Sequence, residues 1–506
     1  MLPCAPVDAA LDQLDQVELC ATDALLAVAA FAHDQGLEHC LPDAERAFGR
    51  VRPSPPPPGA TKATRDSYGT PSALESENFV LRWGNGVSDE EAQATLQVFE
   101  DTWAALIDEQ GYTAPWGSDA YKFNVYVGDT GGNTPSSLGY GGYYWVDGEG
   151  WPMVVMSTGA LDDQPLLEVT GVHEFFHAIQ AGVGTYGYEG DGAWFWEATA
   201  TWSVSEVYPD NTDYAVFLFG WAYQPHLPVD FFDYPDGGTF DLSEYHQYGA
   251  FIWPRYLTEH VAGSTLIRDA WLEGEAIDPS DPMAVLDSLL ADRGEDLQEA
   301  FSDFGRRNVT WDYEHGDAYD DWVQTYQFTF DSAFEAATHR GATDGWTTVP
   351  EGLETHPWGI TYLRFTDLGE DVRVGFEADV SATNAADWSV RLVVPGGYHT
   401  VVPISDGAGS ATIPAADGAD EAWLVVAATA RRGVPDTALS WRYRVDSEAS
   451  TGGGGTGTAD EPGGCTCGTG GGGFWLFALA AAARRRSSSK ASSSAPSRMP
   501  VATRWR

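Results

Sequence analysis

The sequence predicts an α+β domain with a mixed sheet, a long buried helix and a helical subdomain, followed by an all-β sandwich domain. Strand and helix patterns alternate between residues 71 and 340, which is typical of an α+β core. Residues 345–447 hold only short alternating runs separated by Gly, Asp and Asn turns, the pattern of a sandwich. A leader or pro-segment with a Pro-rich linker, 1–70, precedes these domains, and a Gly-rich linker with a tail, 448–506, follows them.

The composition indicates a folded, acidic protein. Of the 506 residues, 43% are hydrophobic, and 75 acidic residues against 27 basic ones give a formal net charge of −48. Such a surface repels nucleic acid and anionic membranes, so no nucleic-acid partner is expected. All five cysteines lie before residue 41 or after 464, and a core without cysteine tolerates an oxidising compartment. The oligomeric state stays open.

Residues 1–70 lack the marks of an ordinary signal peptide. The apolar run at 25–32 follows Asp23 and other acids, where a signal peptide has basic residues. The proline run Arg52–Gly59 predicts a stiff, extended linker that ends this segment.

Alternating strand and helix signals begin at residue 77. Ser88 and Glu91 form a capping-box pattern that starts an amphipathic helix ending at Gly111. The predicted strands are Phe79–Trp83, Lys122–Val127, Tyr143–Val146 and Pro152–Ser157, the last two joined through Asp147-Gly148.

The segment Gly171–Trp202 contains His173, Glu174 and His177 in the pattern H-E-x-x-H. Residues four apart share one face of a helix, so both imidazoles can bind one metal ion, with the Glu174 carboxylate beside them. A catalytic zinc needs three protein ligands and one open position. Glu197, in a second apolar helix beyond a Gly-rich loop, is the candidate for the third ligand.

This motif with a downstream Glu resembles the gluzincin metallopeptidases, over residues 76–335. The resemblance implies a zincin-like catalytic domain, a Zn²⁺ cofactor held by His173, His177 and Glu197, and Glu174 as the general base toward zinc-bound water. It also implies an edge strand that binds peptide by strand addition, and we assign Pro152–Ser157 to it. A metzincin pattern would need Gly and His at 180 and 183, where this chain has Gln180 and Val183.

Two further parts of such a site are expected from other segments. The oxyanion donor should come from the aromatic helix Tyr245–Leu257, with Tyr248 as first choice and His246 and Tyr245 behind it. The histidines also need outer partners. Resembling enzymes place an acid four residues after the ligand Glu, but that position is Thr201 here, so Glu206 and Asp191 are considered instead.

The tail carries a possible sorting signal. Cys465 and Cys467, an apolar run Phe474–Ala483 and three arginines follow the Gly-rich linker. This order resembles the myxobacterial C-terminal sorting tag, which implies anchoring to the cell envelope, although the run is shorter than the roughly 20 residues of a membrane span.

The sequence therefore predicts a secreted or cell-surface zinc metallopeptidase that acts on protein or peptide substrates. Two alternatives stay open: a surface adhesion or scaffold protein with a structural or vestigial zinc site, and a zinc hydrolase of non-peptide substrates.

Overall fold

The computed structural model describes most of the chain between residues 61 and 447. The described residues are 22, 25, 28, 40, 44–47, 49, 52–54, 59, 61–138, 141–188, 190–233, 241–326, 338–366, 372–379, 381–382, 385–413, 421–430 and 437–447. Residues up to 452 belong to one compact unit. Most of the predicted leader and all of the predicted sorting tail lie outside the described residues. Within those residues, no helix is both long and apolar enough to cross a membrane.

The first sheet is mixed and has five strands in the order β1-β2-β3-β5-β4. Its strands are β1 Ser72–Glu75, β2 Phe79–Trp83, β3 Phe123–Val127, β4 Gly142–Val146 and β5 Pro152–Met156. β2, β3 and β5 are parallel, whereas β1 and β4 pair antiparallel at the two edges. The α+β architecture with a mixed sheet is therefore confirmed.

The predicted edge strand is wrong. Pro152–Ser157 corresponds to β5, which lies inside the sheet between β3 and β4, and β4 is the outer strand. The hairpin turn at Asp147 joins β4 and β5, as predicted. Both strands are apolar and buried, so local pattern does not distinguish them. The parallel pairing of β5 with β3, from Asn124 opposite Met153 to Val127 opposite Met156, decides which one is interior.

The first helices pack around this sheet. They are α1 Ala44–Ala47, α2 Asp89–Trp103, α3 Thr158–Leu161, α4 Gln164–Val183 and α5 Ala193–Val207. The capping box of Ser88 and Glu91 is present at the start of α2, as predicted. A π-helical stretch, Ala104–Glu109, extends this helix before Gly111, whose φ of +82° ends it.

The long helix α4 carries the H-E-x-x-H motif. Pro165 occupies its first turn, and Gly184 ends it with a φ of 74° in the left-handed region. Its residues from 169 to 181 are buried on every side, which is expected only of a helix surrounded by other elements.

In the described residues after α5, the helical half contains α6 Leu218–Ala222, α7 His246–Gly249, α8 Ile252–Tyr256, α9 Thr265–Ile277, α10 Pro282–Asp292, α11 Leu297–Asn308 and α12 Gly316–Tyr326. The aromatic segment Tyr245–Leu257 includes two short helices, α7 and α8, and not one continuous helix. Between them the amides of Phe251 and Trp253 bond carbonyl oxygens three residues earlier, and Pro254 has no amide hydrogen to continue a regular helix.

The described part of the C-terminal region consists of two five-stranded sheets, which agrees with the predicted all-β character of this region. The first has the order β11-β10-β14-β8-β6, and the second β12-β13-β9-β15-β7. Side chains of both sheets, including Leu363, Phe376 and Trp441, share one buried cluster. The strands are β6 Thr338–Arg340, β7 Thr347–Thr348, β8 Gly359–Thr366, β9 Val372–Ala378, β10 Ala386–Val393, β11 His399–Val401, β12 Ile404–Ser405, β13 Ala408–Ile413, β14 Glu421–Ala430 and β15 Trp441–Ser447.

Helices α6 and α7 touch backbone to backbone at Gly249, next to Tyr248. A Cβ atom at Gly249 would lie 2.4 Å from the amide nitrogen of Trp221 and 2.8 Å from the carbonyl oxygen of Phe217. We predict that Gly249→Ala lowers the free energy of unfolding by about 2 kcal/mol or more, because neither backbone atom can yield without moving a helix. Denaturant unfolding followed by circular dichroism measures the loss.

The matched control is Gly148→Ala, since a Cβ atom there meets nothing within 4 Å. Its free energy of unfolding should stay within about 0.5 kcal/mol of wild type. Equal effects of the two substitutions would contradict the close crossing of α6 and α7.

Candidate metal centre

The two phenylalanines inside the motif anchor α4 in the core. Phe175 packs edge-on against Phe79 and Phe123, with ring centroids 5.0 and 5.1 Å apart. Phe176 contacts Tyr112 at 5.3 Å and Trp202 at 6.5 Å. Positions 173, 174 and 177 lie on the side of the helix opposite 175. Packing of the phenylalanines therefore fixes which way the polar residues of the motif face.

The structure brings together the three side chains that the sequence predicts as metal ligands. The Nε2 atoms of His173 and His177 are 3.1 Å apart, and Glu197 Oε2 lies 3.1 Å from the first and 3.6 Å from the second. All three residues are buried. Among the described residues, they form the one group of three or more His, Cys, Asp or Glu side chains arranged to hold a metal ion.

Gln180 fixes the tautomer of His177. Its side-chain NH₂ donates to the carbonyl oxygen of Trp196 at 2.9 Å and to Thr199 Oγ1 at 3.0 Å. Its Oε1 lies 2.7 Å from His177 Nδ1. A carbonyl oxygen only accepts, so the amide nitrogen must face Trp196 and Nδ1 must carry the hydrogen donated to Oε1. The lone pair of neutral His177 is then at Nε2, facing His173 and Glu197.

Aromatic residues hold Glu197 and the two imidazoles in place. The Tyr188 hydroxyl donates to Glu197 Oε1 at 2.7 Å, which leaves Oε2 directed at the histidines. Trp196 stacks on the ring of His177 at 6.0 Å. These contacts orient the ligand atoms before any cation arrives, as an ordered metal site requires.

The electrostatics of this cluster favour positive charge. Burial lowers the pKa of His177, but the carboxylate of Glu197, with smaller contributions from Glu174 and Gln180, outweighs burial and raises the pKa to about 9. Burial raises the pKa of the Glu197 carboxyl, but the two histidines overcome that effect and hold it below its ordinary range. A divalent cation can satisfy the same charges by displacing the proton.

Glu174 lies beside this cluster and is only 2% exposed. Its Oε2 accepts a hydrogen bond of 2.9 Å from Thr22 Oγ1, a residue of the N-terminal segment. No local pattern predicts this contact, because the two residues are 152 positions apart.

Tyr248, the predicted oxyanion donor, packs next to the cluster. Its ring stacks on His173, with centroids 6.1 Å apart, and on Phe217 at 5.3 Å. The two other candidates serve elsewhere. Tyr245 packs on Phe219 at 5.2 Å, and buried His246 hydrogen-bonds the carbonyl oxygen of Pro228 through Nε2 at 2.9 Å.

The two acids considered as outer partners of the histidines, Glu206 and Asp191, make other contacts or face solvent. Asp191 is exposed, and Glu206 accepts a hydrogen bond from Gln110 Nε2 at 2.9 Å. Their place is taken by Gln180 on His177 and by Thr201, whose Oγ1 lies 3.5 Å from His173 Nδ1. A neutral amide and a hydroxyl therefore stand where a carboxylate was expected.

A family model described as a family of unknown function (DUF6055) matches residues 58–449. The match includes both the α+β region and the two C-terminal sheets, and it begins after Thr22. No curated protein matches the sequence.

Burial lowers the pKa of His246 from 6.5 to about 4, an effect that the nearby His226 reinforces and the hydrogen bond to Pro228 only partly offsets. Between these pH values the unfolded chain binds a proton at His246 and the folded chain does not, so stability falls as pH falls. We predict that lowering the pH from 6.5 to 4.5 removes about 2 kcal/mol of unfolding free energy through this residue.

The measurement is urea unfolding of wild type and His246→Gln at both pH values. Carboxyl groups titrate in both proteins. The difference between wild type and variant in how the unfolding free energy changes with pH therefore gives the contribution of His246. Parallel slopes would show that His246 does not stay neutral in the folded protein.

Proposed function

The chain belongs to the DUF6055 family, whose function is unknown, and we propose that it is a gluzincin-like zinc metallopeptidase. The observation that carries the proposal is the convergence of the ligand atoms of His173, His177 and Glu197, with Glu174 beside them. We propose further that the α+β region is a zincin-like catalytic domain and the two C-terminal sheets are an accessory domain.

The distances among the three ligand atoms suit zinc. A tetrahedral site with bonds of about 2.0–2.1 Å separates neighbouring ligand atoms by roughly 3.3 Å. The distances here, 3.1, 3.1 and 3.6 Å, bracket that value. Two neutral imidazoles and a carboxylate are also a donor set that zinc accepts.

The number of ligands favours catalysis over a structural role. Structural zinc sites have four protein ligands, whereas catalytic sites have three and an open position. In the part of the chain that the structure describes, the cluster has three His, Cys, Asp or Glu ligands. This supports the enzyme over the alternative of a non-catalytic adhesion or scaffold protein with a structural or vestigial zinc site.

Bound zinc would polarise the scissile carbonyl and make the attacking water more acidic. In this proposal the Glu174 carboxylate takes the proton of that water and passes it to the leaving nitrogen. Glu174 does not join the ligand cluster, so its carboxylate is available for proton transfer. Its burial keeps the exchanged proton away from bulk solvent.

Tyr248 is proposed to donate a hydrogen bond to the oxyanion that forms at the carbonyl. Its position supports this role, because the ring stacks directly on the ligand His173. This role of Tyr248 can be tested separately from the role of Glu174.

We propose protein or peptide substrates, bound in extended form along the edge strand β4. Gly142 of β4 packs against the helix α4, where a Cβ atom would lie 3.1 Å from Thr170 Cγ2, so this edge runs beside the motif. A free edge can pair with a peptide backbone. A zinc hydrolase of non-peptide substrates would not need this edge.

We propose that the enzyme works outside the cell or at its surface, with no nucleic-acid partner. The disulfide at Cys40 suits an oxidising compartment, and the net charge of −48 disfavours nucleic acid. Envelope anchoring through residues 448–506 remains part of this proposal.

The first test is Glu174→Gln, which keeps the shape of the side chain and removes its base. We predict one zinc per chain in both wild type and variant, and a loss of casein hydrolysis of about 1,000-fold or more in the variant. Metal content by atomic emission and hydrolysis are measured on the same samples. Zinc in both proteins with no hydrolysis in wild type would favour the scaffold alternative. Undiminished hydrolysis by the variant would rule out Glu174 as the base.

The second test is Gln180→Leu, which removes the acceptor of the His177 Nδ1 hydrogen. Because the imidazole then loses its fixed orientation, we predict that zinc affinity falls about 10- to 100-fold. Competition with a chromogenic chelator measures the affinity. Gln97→Leu is the matched control, since the Gln97 side chain is exposed on α2 and donates to Asp101 Oδ1, away from the cluster. Unchanged affinity in Gln180→Leu would contradict the orienting role.

A further inference from the structure

Thr22 joins the edge strand to the proposed base. Its hydroxyl oxygen accepts a hydrogen bond of 2.7 Å from the backbone amide of Tyr144, in the middle of β4. The same oxygen lies 2.9 Å from Glu174 Oε2, to which it donates, and 3.4 Å from the carbonyl oxygen of Tyr144. Thr22 is fully buried in this position. One side chain therefore occupies both the backbone-pairing groups of the edge and the carboxylate beside the ligands.

These are the groups that an extended substrate would use. A peptide added to β4 must bond the outward amide and carbonyl of Tyr144. A water activated by Glu174 must donate a hydrogen bond to the same carboxylate. Thr22 supplies an acceptor to the amide and a donor to the carboxylate, so it and a substrate cannot be bound there together.

Other described residues before position 58 are also buried or contact the α+β region. Leu25 and Val28, three and six positions after Thr22, are buried. The Tyr144 hydroxyl donates to the carbonyl oxygen of Ala47 at 2.8 Å. Arg52 donates to the carbonyl oxygen of Gly182, near the end of α4, at 3.1 Å. These residues thus contact β4 and the motif helix at several points, and not at Thr22 alone.

We propose that Thr22 is an internal inhibitor, which covers the outward amide of Tyr144 on β4 and the Glu174 carboxylate, and that a substrate must displace it to reach the site. This inference rests on the proposed function, which makes Glu174 the base and β4 the substrate edge. Thr22 precedes residues 58–449, which the family model matches, and the proline run before residue 59 separates the two. Thr22 therefore lies outside the residues that the family model matches.

The test compares the full chain with Thr22→Val and Thr22→Arg. Valine keeps the shape of threonine and removes both hydrogen bonds, while arginine is too large for the buried position. Thr348→Arg is the control, because Thr348 is exposed on β7. Each protein is loaded with cobalt(II), and two quantities are measured: binding of acetohydroxamate, from the visible spectrum of the metal, and hydrolysis of casein.

We expect both Thr22 variants to bind acetohydroxamate about tenfold more tightly than wild type, and to hydrolyse casein faster by a similar factor. The control should match wild type in both measurements. Hydrogen exchange at the Tyr144 amide gives a third readout, independent of metal and turnover. This amide should exchange faster in Thr22→Val than in wild type. Unchanged exchange of the β3 amides would verify that the variant is folded.

Equal acetohydroxamate binding and equal Tyr144 exchange in wild type and Thr22→Val would overturn the proposal that Thr22 inhibits the site. Tighter binding and faster exchange without hydrolysis in any protein would instead uphold the cover and count against the peptidase. The two proposals therefore fail in different measurements.

Discussion

The geometry of the candidate centre depends on one buried amide. Gln180 on α4 donates to the backbone of Trp196 on α5 and accepts from His177, so a single side chain sets both the contact between the two helices and the tautomer of a proposed ligand. Glu197 follows Trp196 directly, so its distance from the histidines depends on this contact. Loss of the amide would leave a buried imidazole N–H and a buried carbonyl without their partner, at a cost of about 1–3 kcal/mol each. The ligand positions are therefore a consequence of helix packing.

Burial of two carboxylates and two imidazoles is otherwise unfavourable for stability. A buried charge costs several kcal/mol unless a partner compensates it, and a well-packed apolar core would avoid the cost. In the described structure the compensation is partial: His177 takes up a proton at an elevated pKa, and Tyr188 hydrogen-bonds Glu197. Groups that violate the ordinary rules of core composition concentrate at functional sites. Here a divalent cation is the partner that would balance the charge, which links metal binding to the stability of the folded chain.

Local sequence predicted the elements and the ligand set, but not the contacts made across the fold. Helices α4 and α5, the capping box at Ser88 and the all-β character of residues 345–447 follow from periodicity and short motifs. The position of β5 inside the sheet depends on its parallel pairing with β3, which no local pattern records. Gln180 and Thr201 could not be assigned, because their roles arise only where α4 and α5 cross. The resemblance implied an acidic partner for the histidines, and in this chain the neutral groups of Gln180 and Thr201 lie there instead.

The contact of Thr22 with β4 differs from the usual ways in which proteins protect the edge of a sheet. Soluble proteins usually protect an exposed edge with charges, bulges or a further paired strand. A paired strand would bond several residues of β4, whereas Thr22 uses one hydroxyl at Tyr144 and shares it with Glu174. Such a contact is weak enough for a peptide with a complete backbone to displace, since each added residue pair contributes its own hydrogen bonds. An enzyme that binds substrate by strand addition needs an edge strand that is covered when substrate is absent and becomes accessible when substrate binds. A single side-chain hydroxyl can meet both requirements, provided that the rest of its segment is held near the site.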